Sequence, residues 1–267
     1  MASLGDLKPS KKIVPFVNES TLVPVKSNKQ ILWAWRISLC CALALIVLLP
    51  ILSPDPYARI LRVLPDGILN TFLVTICSMA LALIIGVLTG LGQITTFTPV
   101  RILCTTYVEI VRGIPLLIQL FYIYYALGKF VALPAMISAI IAMAVCYGAY
   151  ISEIFRSGMQ SIPKGQMEAS MALGLSRSQS IIYVILPQTF RIVLPPIGNE
   201  FIALLKDSSL VSILAISDLS RRGREFAAAT FTHFETYTMI ALIYLAITLV
   251  MSKGVAYFEE RTNYYEN

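Results

Sequence analysis

The chain has 267 residues, of which 57% are hydrophobic and 13% charged, with a formal net charge of +6. Soluble domains carry about 25% charged residues, and so few charges cannot coat a water-facing surface of this size. The apolar residues gather in runs of the roughly 20 needed to cross a bilayer core. Lipid leaves sheet edges unsatisfied, and the runs lack the alternation of a β-barrel. A polytopic, all-α membrane bundle remains.

Residues 1–30 are polar and basic, with Lys8, Lys11, Lys12, Lys26 and Lys29 and three prolines, and read as a tail. The apolar run that follows starts too late and is too long for a secretory signal. It predicts a first span over 31–52, with Trp33 and Trp35 as interface anchors and Arg36 snorkelling. Pro54, Pro56 and Pro65 mark 53–66 as a loop. Further spans are expected near 68–92, 102–127, 133–155, 197–216 and 237–258, with a core over 66–260 and a polar tail at 261–267. Gly86-x-x-x-Gly90 suits close helix approach.

Six spans put both termini on one face. That face collects thirteen of the 21 Lys and Arg residues, against six on the other, so the termini and the 156–191 loop are expected in the cytoplasm. Arg221, Arg222 and Arg224 run against this trend. The five cysteines all fall in expected spans without metal-type spacing, and His233 is the single histidine, so no metal site is expected.

The 156–191 loop carries the most information. Ser161 can cap a short helix with Pro163 in its first turn, and Gly174 suits the position after its end. Ser176 and Gln179 form an S-x-x-Q capping box for a second helix over Ile181–Leu186, expected to stop before Pro187. Ala169, Ser170, Ala172 and Gly174 are small, and Met171 and Leu173 are flexible apolar knobs. The helix either docks in a groove of another protein or lies on the bilayer.

The loop resembles the EAA loop of ATP-binding-cassette importer permeases: E-A-A, three residues, G, nine residues, I-x-L-P. Here it is Glu168-Ala169-Ser170, Gly174 and Val184-Ile185-Leu186-Pro187, with Ser170 and Val184 as mild departures. The segments 107–119, 194–202 and 204–212 look like those of the polar amino acid uptake subfamily, and the likeness covers roughly 66–260. It implies a type I importer permease core. Such a subunit pairs with a second permease, alike or homologous, and receives an amino acid from an extracytoplasmic binding protein. Two separate ATPase subunits dock on Glu168, Ala169, Ser170, Met171, Leu173 and Gly174. ATP and Mg would sit on the ATPases, with no cofactor on this chain, no catalysis by it and no nucleic acid partner. The chain has no G-x-x-x-x-G-K-[ST] loop. The implied location is the bacterial plasma membrane, in contact with lipid. Usual members have about five spans, so the 31–52 helix and the tail are additions. A stand-alone secondary transporter would explain the spans but not the EAA loop, and an embedded enzyme lacks a convergent set of reactive residues.

Ionisable residues within spans are candidates for function. Asn199 and Lys206, and Glu200 and Asp207, are each seven apart, so each pair recurs on nearly one helical face. With Ser209 they predict a polar stripe in the fifth span that could meet the ammonium and carboxylate of an amino acid. Alternatively Lys206 and Asp207 neutralise each other, or Asp207 caps a break, which Pro195-Pro196 or Asp207-Ser208-Ser209 could provide. Gln119 is a further candidate for the path. Glu109 with Arg112, and Glu153 with Arg156, are expected to pair at span ends. The outer Arg221, Arg222 and Arg224 are candidates for docking the binding protein.

Overall fold

The computed structural model describes residues 28–262, and the expected tails fall almost wholly outside them. By packing the chain divides into residues 1–38 and 39–267; the second unit holds everything from the middle of the first helix onward. Among the described residues five helices are long and apolar enough to cross a membrane, or six if a bent pair is counted as one span.

Helix α1 runs Asn28–Leu52 and α2 Pro54–Val63. The expected 53–66 loop is therefore mostly helical. Pro54 and Pro65 stand in the first turns of α2 and α3, where a missing N–H costs nothing. Tyr57 and Ile60 of α2 and Leu64, between α2 and α3, are buried with Leu219, Met239 and Ile243, and Ile46 and Leu49 of α1 pack on them.

Helix α3, Pro65–Ile94, and α6, Ala135–Ser161, form the central pair. Their contact uses Gly86 and Gly90. A Cβ on Gly90 would stand 3.0 Å from the Ser152 carbonyl oxygen, and one on Gly86 3.1 Å from that of Gly148. The small residues thus let the two backbones approach, as the glycine spacing predicts.

The expected third span is broken. Helix α4, Thr98–Gly113, and the stretch that begins with α5, Leu116–Phe121, meet at 103°. Pro115 is the cause: the residue before a proline is driven out of the α region, and Ile114 is extended, with φ −109° and ψ 128°.

The coupling-loop region holds α7, Lys164–Ala172, and α8, Arg177–Ser180. Ser161 does not cap α7. It closes α6, its hydroxyl donating to the Gly158 carbonyl, and Pro163 precedes α7. The chain also does not stop before Pro187. A π-helical turn at Ile181–Ile185 runs on into α9, Leu186–Asp207. Widening the turn accommodates the proline, and the side chains of Gln188 and Thr189 donate to the carbonyls of Val184 and Ile185 at 2.9 Å each. The helix also continues through Pro195-Pro196, and the α geometry gives way only at Ser208, to a 3₁₀ segment over Ser208–Leu214. Helices α10, Leu219–Thr230, and α11, His233–Thr262, complete the chain.

Candidate functional site

The break at Ile114-Pro115 opens a cavity of about 460 Å³ against α6 and α9. Its wall holds Arg112 and Leu116 from the two sides of the break, Cys146, Tyr147 and Tyr150 from α6, and Glu200, Ala203 and Asp207 from α9. Glu200, Ala203 and Asp207 are spaced three and four apart, so they share one helix face. Two carboxylates and one guanidinium thus meet in a half-open space among apolar helices, able to hold a small zwitterion by both ends.

The expected stripe of α9 divides here. Asn199 and Lys206 are exposed and lie outside the cavity wall, while Glu200 and Asp207 are half-buried within it. One residue turns a helix by about 100°, which separates the two faces. Among the described residues no ion pair joins Lys206 to Asp207. Asp207 Oδ2 instead accepts a hydrogen bond of 2.8 Å from the Tyr147 hydroxyl. Ser209 is half-buried just beyond, also outside the wall.

Gln119 is buried behind the break. Its Nε2 donates to the carbonyls of Val111 and Ile114 at 2.8 Å each and touches Cys146 Sγ at 3.6 Å. It stitches the bent span and is not part of the wall.

A second cavity, about 610 Å³, lies on the coupling-loop side, lined among others by Gln93, Arg101, Glu109, Arg112, Glu153 and Arg156. Glu153 is its hub. Arg156 grips the carboxylate with Nε at 3.0 Å and Nη2 at 2.8 Å, and Gln93 Nε2 donates at 3.1 Å. Arg112 pairs with Glu153 at 3.6 Å across two helices, not with Glu109 of its own, and its guanidinium lies 5.3 Å from the Tyr150 ring centre.

The coupling loop closes with a Schellman motif. Leu175 N–H donates to the Ser170 carbonyl at 3.2 Å and Gly174 N–H to that of Met171 at 3.0 Å. Gly174 has φ +90°, which a side chain disfavours. The Ser176–Gln179 capping box is formed. Glu168, Ala169, Met171, Leu173 and Gly174 are exposed, with Leu173 at 86%. Ser170 is buried at 4%, its hydroxyl donating to the Met167 carbonyl. It therefore belongs to the inner face of the helix. A groove of about 820 Å³, with Arg101, Lys164, Met167, Glu168, Met171 and Arg177 in its wall, runs alongside.

On the opposite side Asp218 caps α10, accepting from the N–H groups of Ser220 and Arg221 at 3.0 Å each. Burial pushes its carboxyl up to about 6. Arg221, Arg222 and Arg224 all have partners in this chain. Arg222 pairs with Asp66 of α3, Arg221 with Glu225 at 2.7 Å, and Arg224 donates to the Ser212 hydroxyl at 2.5 Å. Local acids thus offset the charge that runs against the topology trend.

Residues 82–264 match the family described as the inner membrane component of binding-protein-dependent transport systems. The chain belongs to that family. A probable glutamine ABC transporter permease of Bacillus subtilis is 38% identical over 73% of this chain and 91% of its own length. The L-cystine transport system permease of the same organism is 38% identical over 76% of this chain and 88% of its own. A solved structure described as an amino acid ABC transporter with histidines superposes with a TM-score of 0.73 at 35% identity, covering 79% of this chain and 97% of that one. The chain is a multi-pass permease subunit of an ABC importer, not an enzyme, and ATP is hydrolysed by separate subunits. Several residues of the site went unsingled in the sequence, namely Tyr147, Tyr150, Cys146 and the Ile114-Pro115 break. Only the last had a signal, a proline inside an apolar run.

Proposed function

We propose that this permease carries an amino acid through the cavity at the Ile114-Pro115 break. The observation that supports it is the meeting of Glu200, Asp207 and Arg112 around one space of about 460 Å³, in the size range of small-molecule sites. The carboxylates suit an ammonium and the guanidinium a carboxylate. The related glutamine and cystine permeases and the solved amino acid transporter support the substrate class. In this reading the chain sits in the bacterial plasma membrane with both termini cytoplasmic and pairs with a second permease, identical or homologous. Two ATPase subunits hold ATP and Mg and dock on the exposed ridge of Glu168, Ala169, Met171, Leu173 and Gly174, with Ser170 supporting it from below. An extracytoplasmic binding protein docks on the opposite side, near Arg221, Arg222 and Arg224.

The test is uptake into vesicles by the transporter assembled with its ATPase and binding protein, over a panel of amino acids. ATP-dependent uptake of at least one is expected. Glu200→Gln and Asp207→Asn, at equal membrane abundance, should raise its KM by about tenfold, as for a lost charge-assisted hydrogen bond. Unchanged KM and unchanged preference in both variants would reject the cavity as the substrate path.

A further inference from the structure

The membrane cavity and the cavity on the coupling-loop side meet at a single side chain. Among the described residues Arg112 alone lines both. The second cavity in turn shares Gln93, Arg101 and Gln160 with the groove beside the coupling loop. The Arg112 side chain thus stands between the two spaces.

Arg112 is held loosely enough to move. Its ion pair with Glu153 is 3.6 Å long and one-sided. The same carboxylate is already satisfied by two donors from Arg156 and one from Gln93. Releasing Arg112 thus leaves no orphaned charge at Glu153, which is what makes breaking most buried pairs expensive. Its other restraint is the face of Tyr150, a cation–π contact 5.3 Å from the ring centre. Such contacts are modest where the cation is partly wet, and the Arg112 side chain is 43% exposed. Arg112 also sits in the last turn of α4, two residues before the break.

We propose that Arg112 is the gate of the pathway on the coupling-loop side. While Glu153 and Tyr150 hold it, its guanidinium closes the membrane cavity. It opens by exchanging Glu153 for the carboxylate of the departing amino acid, a partner of the same chemistry. Arg156 keeps Glu153 neutralised during the exchange. This rests on the reading of the cavity as the substrate path.

The test places a reporter thiol inside the cavity. In the assembled transporter, with the five native cysteines replaced, Ala203→Cys is labelled by a membrane-impermeant thiol reagent added from the coupling-loop side. Slow labelling is expected with Arg112 present. Arg112→Gln should accelerate it about tenfold, the combined worth of a partly exposed ion pair and a cation–π contact. Glu153→Gln, which frees Arg112 without removing it, should accelerate it by a smaller factor, and Arg112→Lys, which keeps charge without the planar fork, should fall between. Co-purification of the ATPase subunit checks assembly of each variant. Equal labelling rates across all variants, with the thiol still protected by the transported amino acid, would overturn the gate and leave the path standing. A thiol labelled from neither side in any variant would overturn the path, and the gate with it.

Discussion

The Tyr147 hydroxyl donates a hydrogen bond of 2.8 Å to Oδ2 of Asp207, and through it α6 fixes the last residue of α9 at the cavity wall. Lys206, the neighbour in sequence, is exposed and takes no part. The two candidate partners of Asp207 therefore separate experimentally. Tyr147→Phe should raise the KM for uptake roughly tenfold, since hydrogen bonds to charged groups are worth about 1.5–3 kcal/mol. Lys206→Met should change it little. In a double-mutant cycle, Tyr147→Phe and Asp207→Asn should be strongly non-additive, and Lys206→Met and Asp207→Asn additive. Strong coupling between positions 206 and 207 would restore the ion pair that the sequence spacing allows.

The coupling ridge depends on one backbone angle. Gly174 has φ +90° and its Cβ position is open, so a substitution there meets strain rather than a clash. Gly174→Val should tilt α7 and cost about 1–2 kcal/mol locally. Leu173→Ala removes the most exposed apolar knob of the ridge without touching the backbone. Both variants should reach the membrane and lose ATP-driven uptake, read alongside recovery of the ATPase subunit in pull-downs. Full uptake in both would mean that the ATPase docks elsewhere.

How much of this was legible in the sequence follows from which forces are local. The Ser176–Gln179 capping box and the Gly174 turn are set by residues within one helical turn of each other, and both form where the sequence places them. The Gly86–Gly90 contact is legible for a similar reason, because small residues one turn apart make a flat face. The wall of the cavity is different. Tyr147 and Asp207 are 60 residues apart, as are Gln93 and Glu153, and no short spacing announces such pairs. Arg112 illustrates the limit: local spacing points to Glu109, and packing gives it Glu153. The prolines misled in both directions. Pro187, Pro195 and Pro196 were absorbed into a continuing helix, the first behind a widened turn, while Pro115, within an unbroken apolar run, bent its span.

Asp218 gives a pH dependence on the side away from the coupling loop. Burial raises its carboxyl to about 6 against the capping hydrogen bonds that lower it, whereas an unfolded aspartate titrates near 3.9. The folded chain therefore holds the extra proton between these values. Its stabilising effect is complete below about pH 4 and is lost as pH rises through about 6, a difference of roughly 2–3 kcal/mol. Asp218→Asn keeps a competent helix cap and removes the titration. In thermal unfolding of the purified protein, the fall in Tm between pH 5 and pH 8 should be smaller in this variant than in the unaltered chain. Equal falls would show that Asp218 does not carry the dependence.

Gln119 is the last test, because its chemistry suits a path while its geometry suits a brace. Pro115 has no N–H to offer the Val111 carbonyl four residues back, and the Ile118 N–H goes to Pro115 instead of Ile114. The Ile114 carbonyl is thus short of a helical donor and that of Val111 keeps only the long bond of 3.4 Å from the Ile114 N–H, and the two hydrogens of the Gln119 amide reach both at 2.8 Å. Gln119→Leu should leave the Ile114 carbonyl without its donor and that of Val111 with one long bond, at a cost of about 1–3 kcal/mol. Gln119→Glu should do no better, since an ionised carboxylate donates nothing. The expected signature is a lower Tm and lower uptake with the order of preference among amino acids unchanged. A brace alters how often the bend is formed and not what the cavity recognises. A shifted preference at unchanged Tm would move Gln119 from the bend to the cavity wall.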